Sequence, residues 1–125
     1  MPTQKRSLSI CFSRGVFISS ARMALGCARK LVREGSFKSA EGPLRATTES
    51  LKQLEYSVYT YDRESLKTVR GFEGEAKKAL QILRSKKASK AEKVKAIETL
   101  DPPLVALYER VQESCKGKLP GYAGK

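Results

Sequence analysis

The stretch "REGSFKSAEGPLRATTESLKQL", Arg33 to Leu54, divides the chain into two compositions. Residues 1–33 hold seven basic side chains (Lys5, Arg6, Arg14, Arg22, Arg29, Lys30 and Arg33) and no acid. Beyond Arg33 the charges alternate in sign, and leucines recur at helical spacing. From Pro43 the series Leu44, Thr47, Leu51, Leu54, Val58 and Tyr61 advances by three or four residues. That period places one apolar stripe on an amphipathic helix. Pro43 suits the first position of such a helix, where its missing N–H has no intrahelical partner to lose. The stretch therefore reads as a boundary, with Gly42-Pro43 opening a helix.

Helical spacing continues downstream. Leu66, Val69, Phe72 or Glu73, Ala76, Leu80 and Leu83 predict a further helix ending near Arg84 to Lys87, with Asp62 as a cap or kink before it. Gly71 and Gly74 fall inside it, each costing about 1 kcal/mol relative to alanine, which predicts close packing at those positions. "SKAE", Ser89 to Glu92, has the pattern of a capping box. Val94, Ile97 and Leu100 follow, and "DPP", Asp101 to Pro103, interrupts them because proline cannot donate within a helix. Asp101 can cap a new segment carrying Leu104, Leu107, Tyr108, Val111 and Cys115, closed by Gly117. No stretch alternates with the period of a strand. The expectation is an all-α protein, an up-down antiparallel four-helix bundle with a proline-kinked last helix.

A chain of 125 residues is long enough for one core. Apolar residues at 40% and charged residues at 30% exclude a disordered polymer. The formal net charge of +12 points to an acidic partner, either nucleic acid or an acidic surface. More than half of it lies in residues 1–33; the remaining 92 carry 18 basic and 13 acidic groups. Two readings of residues 1–33 stand. Five serines and the absence of acid suit a transit segment. Val16, Phe17, Ala21, Leu25, Ala28 and Val32 near one face suit a first helix of the fold. The organisation expected is thus residues 1–33 as basic leader or first helix, 34–117 as the bundle, and 118–125 as a flexible tail. No apolar run approaches the length of a membrane span.

The chemistry-bearing residue types are sparse. There is no histidine and no tryptophan, so a His-dependent triad or metal site is excluded, and no metal or cofactor is expected. Cys11, Cys27 and Cys115 are odd in number and widely spaced, which reads as free thiols. "GYAGK" lacks the residues that complete a phosphate loop. "GFEG", Gly71 to Gly74, has the spacing of a phosphate-clamping loop but an acidic setting without strands. Tyr56, Tyr59 and Tyr61 cluster at a spacing that half-buries them. An enzyme is not expected. "RSKKASKAEKVK", Arg84 to Lys95, holds six basic residues and one acid, a strip suited to phosphates or to an acidic protein surface.

An aromatic, then Gly-Pro-Leu, then Arg before a regular helix (Phe37, Gly42, Pro43, Leu44 and Arg45) resembles the first conserved stretch of the PsbQ-like family. These are four-helix extrinsic subunits of photosystem II and related chloroplast complexes. Phenylalanine stands at position 37 where family members often carry tryptophan. The resemblance implies a non-catalytic accessory subunit docked on a photosynthetic membrane complex, in or at the thylakoid of a chloroplast. Its partner-binding residues would be Phe37, Pro43 and Arg45, with Lys86, Lys87, Lys90 and Lys93 from the basic strip. A basic helical nucleic-acid-binding or ribonucleoprotein component is the alternative.

Overall fold

Where the first helix stops decides where the second begins, and Gly35 sets that point. It adopts a left-handed φ of 85°, the conformation glycine reaches without a Cβ penalty. The Ser36 N–H then bonds to the Leu31 carbonyl at 2.8 Å and the Gly35 N–H to the Val32 carbonyl at 3.0 Å. Those two bonds form a Schellman motif that satisfies the last carbonyls of the first helix. Ser36 immediately starts the next, its carbonyl accepting from the Ala40 N–H at 3.1 Å.

The structure, a computed structural model, describes the backbone of residues 2–58 and 63–114 and the side chains of residues 14–55 and 64–111. Every regular element among them is an α-helix: α1 (Pro2–Arg33), α2 (Phe37–Val58), α3 (Arg63–Arg84), α4 (Lys90–Glu98) and α5 (Asp101–Ser114). The protein is all-α. Helix α1 packs on α2, α4 and α5; α2 packs on α3; α3 packs on α4 and α5. The tyrosines Tyr59 and Tyr61, Asp62, Cys115, Gly117 and the tail 118–125 lie outside the described residues, as do the side chains of Cys11, Tyr56 and Val58.

The stripe read from the sequence is the buried face. Leu44, Thr47, Leu51 and Leu54 of α2 are buried, as are Leu66, Val69, Phe72, Ala76 and Leu83 of α3. Thr47 is tolerated there because its hydroxyl donates to the Pro43 carbonyl at 2.9 Å, leaving its methyl to pack. Helix α1 contributes Ile18, Ala21, Leu25, Ala28 and Val32, and α4 and α5 contribute Ile97, Leu104, Leu107 and Val111. Both arms of the capping box form: the Glu92 N–H donates to Ser89 Oγ at 3.1 Å, and the Ser89 N–H donates to Glu92 Oε1 at 2.8 Å.

Three local expectations are corrected and one open choice is decided. Pro43 does not open α2; it lies inside a helix that begins at Phe37. Val16 is 42% exposed, and Ile18 takes the core position instead. Gly71 and Gly74 are exposed, and a Cβ at either would meet nothing within 4 Å. Close packing therefore does not explain them. At the choice between Phe72 and Glu73, Phe72 is the core residue, 3% exposed.

The segment after the basic strip is two helices. Helix α4 ends at Glu98, the Thr99 N–H bonding to Lys95 and the Leu100 N–H to Ile97. Leu100, 2% exposed, anchors the junction. Pro102 and Pro103 then fall in the first turn of α5, where absent N–H groups cost no helical bond. Asp101 engages Arg22 of α1 by two hydrogen bonds, at 3.2 and 3.4 Å.

Candidate functional site

The start of α2, the end of α3 and the start of α4 converge at one end of the molecule. Two contacts fix that convergence. Arg84, the last residue of α3, donates from Nη2 and Nε to Glu41 Oε1 of α2 at 2.9 and 3.2 Å. Lys93 of α4 holds its ammonium 4.1 Å from the centre of the Phe37 ring. A cation over a ring face is attracted by the ring quadrupole.

The seven residues expected to bind a partner separate into three situations. Lys86, Lys87 and Lys90 are exposed, and none lies within ion-pair distance of a carboxylate among the described residues. Arg45 is also exposed, its guanidinium 3.9 Å from Glu41. Phe37 and Lys93 instead engage each other. Lys93 is only 7% exposed, and Phe37 packs half-buried against the core. Pro43 is half-buried within α2, and the whole segment from Phe37 to Arg45 is helical.

Electrostatics keep this end positive. The Arg84 guanidinium hydrogen-bonded to Glu41 holds that carboxyl below the ordinary range, aided by Arg84, Arg45 and Lys38 charge and opposed by a smaller desolvation effect. Glu92 is likewise lowered, first by the Ser89 backbone N–H and then by its side chain. Both acids are thus ionised and already occupied by internal partners. Lys38, exposed on α2, adds a further cation that sequence reasoning did not select.

The connection carrying Lys86 and Lys87 is shaped by Ser85. Its Oγ accepts from the N–H groups of Lys87 at 3.2 Å and Ala88 at 3.3 Å. Such hydroxyl-to-backbone bonds stabilise a turn in place of further helix. The two lysines are therefore presented outside the helices, directly before the α4 cap. Sequence spacing alone placed the α2 and 84–95 segments apart; the signal that joins them is the opposite charge of Glu41 and Arg84.

Chemically, this surface can attract and orient an anion-bearing partner. Among the described residues no group of three or more metal-ligating side chains converges. Cys27 is a free, exposed thiol on α1. No protein-family model, curated protein or solved structure matches the chain.

Proposed function

We propose that the protein is a non-catalytic accessory subunit that docks its basic end on an acidic protein surface of a larger assembly. One observation carries this reading. Lys38, Arg45, Lys86, Lys87 and Lys90 come from three segments to the same end, while Glu41 and Glu92 are engaged internally. Charges at such a rim mainly set association rate and orientation, and their effect weakens with salt. Phe37 packs on the core with Lys93 over its ring, which withdraws that ring from base stacking and favours a protein surface over single-stranded nucleic acid.

A photosynthetic membrane complex is the partner implied by the resemblance at Phe37 and Gly42 to Arg45, and it rests on those residues. No helix among the described residues is long and apolar enough to cross a membrane, which suits attachment from the aqueous side.

The same reading takes the helices as an up-down antiparallel bundle, with α4 and α5 together as its broken fourth member. Interhelical ion pairs support the alternation. Glu41 and Glu55 rise along α2 while their partners Arg84 and Arg70 descend along α3. Arg22 and Arg33 of α1 likewise meet Asp101 and Glu98 in reverse order.

Titrating salt against immobilised poly-glutamate and against single-stranded RNA tests the docking surface. Retention on poly-glutamate that falls with salt, with weaker retention on RNA at equal salt, is expected. Preferential RNA binding, with a salt slope of several phosphates, would replace this reading with the ribonucleoprotein one. Co-migration with thylakoid complexes on a native gel tests the photosynthetic partner separately.

A further inference from the structure

The basic end contains a serine whose surroundings suit modification better than those of its neighbours. Ser89 is exposed and lies outside the helices. Its backbone is extended, with φ −75° and ψ 165°. Exposed Lys86 and Lys87 precede it by three and two residues, and exposed Lys90 follows it. The other serines of this end differ. Ser36 is half-buried in the α1–α2 turn, Ser39 lies within α2, and Ser85 is half-buried; Ser89 alone of the four is both exposed and outside a helix, although its Oγ also accepts from the Glu92 N–H.

We infer that Ser89 is a phosphorylation site for a serine kinase that recognises basic residues on the N-terminal side of its target, and that its phosphate switches off the basic docking end. The switching half rests on the docking function proposed above; the modification half does not. In the transfer, Ser89 Oγ forms a bond to the γ-phosphorus of a nucleoside triphosphate. The bond from that phosphorus to the β–γ bridging oxygen breaks, the nucleoside diphosphate departs, and the hydroxyl proton passes to a base of the kinase. Kinase-to-substrate charge patterns of this kind are read by acidic groups on the enzyme, which Lys86 and Lys87 complement.

Two physical effects follow from a phosphate at this position. It brings a charge of roughly −2 among Lys86, Lys87 and Lys90, which then satisfy it internally instead of facing a partner. It also stands against the Glu92 carboxylate, which is bonded to the Ser89 N–H at 2.8 Å. Like-charge repulsion opens that arm of the capping box, while a phosphate oxygen can keep accepting from the Glu92 N–H. The first turn of α4 is therefore altered at the surface that docks.

The test uses the full chain with a basophilic kinase and ATP, read by intact mass and peptide mapping. One phosphate on Ser89 is expected, absent in Ser89→Ala. A Lys86→Ala/Lys87→Ala variant, which keeps the cap, should be phosphorylated at least several-fold more slowly. The phosphorylated chain should then bind poly-glutamate roughly tenfold more weakly than the unmodified chain. Phosphate placed on other serines, or none, overturns the site. Full phosphorylation at Ser89 with unchanged poly-glutamate binding overturns the switch. An unmodified chain that fails to bind poly-glutamate removes the docking function and the switch with it, while the mass measurement still decides the site.

Discussion

Pro43 shows how a residue can be read correctly for its chemistry and wrongly for its place. A proline lacks the N–H of a helix interior, so Gly42-Pro43 looked like a start. The stronger start was Gly35-Ser36, where a left-handed glycine ends α1 and a serine begins α2. Ala40, four residues before Leu44, already extended the apolar stripe back past the proline. Replacing Pro43 with alanine restores a donor to the residue 39 carbonyl and should stabilise the protein by about 1–3 kcal/mol in urea unfolding. Gly71 and Gly74 follow the same logic, because both are exposed in α3 with open space at the Cβ position. Alanine at either should add about 1 kcal/mol, and a loss there would mean that these glycines are needed for contact. Lys93 was legible only as a positive charge. Its burial over Phe37 depends on how α4 meets α2, which no local pattern reports. A double-mutant cycle of Lys93→Ala and Phe37→Ala should return a coupling of about 0.5–2 kcal/mol.

At the scale of elements, the faces were more legible than the ends. Core burial enforces the helical period, so Leu44, Leu51, Leu54, Leu66 and Val69 declared themselves by spacing alone. The capping box was equally legible, since its two bonds lie within four residues. Helix α1 was not, because the same acid-free composition suits a targeting segment or a packed helix. The structure buries Ile18, Ala21, Leu25, Ala28 and Val32 of α1 in the shared core. Deleting residues 1–33 exposes the opposing faces of α2, α4 and α5, and circular dichroism should show loss of cooperative unfolding. The α2–α3 interface also carries a pH response. Burial, reinforced by the neighbouring Glu55 through a hydrogen bond and its charge, raises the Glu73 carboxyl above its ordinary range. A raised folded-state pKa means the folded chain holds that proton more tightly than the unfolded one. Its contribution is therefore complete below the ordinary carboxylate range and is lost as pH rises through the raised value. Urea midpoints measured across that window should fall for the native chain and fall less for Glu73→Gln.

For the whole molecule, the net charge of +12 points to an acidic partner without saying where it would bind. The proposed docking end draws Lys38 and Arg45 from α2 and Lys86, Lys87 and Lys90 from the α3–α4 connection and α4, elements joined by Glu41–Arg84 and Phe37–Lys93. Half of that end was visible as the Arg84–Lys95 strip. The other half was hidden because Lys38 and Arg45 are unremarkable until α3 returns to the start of α2. The measurement that tests the account most directly compares two charge reversals of equal size. In one variant Lys86, Lys87 and Lys90 become glutamate; in the other, Lys67, Lys77 and Lys78, exposed on α3, do so. Both shift the net charge equally, and both replace exposed side chains. The first variant should lose poly-glutamate binding by at least tenfold while the second retains most of it. Equal losses from the two variants would contradict a docking end and leave only the diffuse attraction of a basic protein.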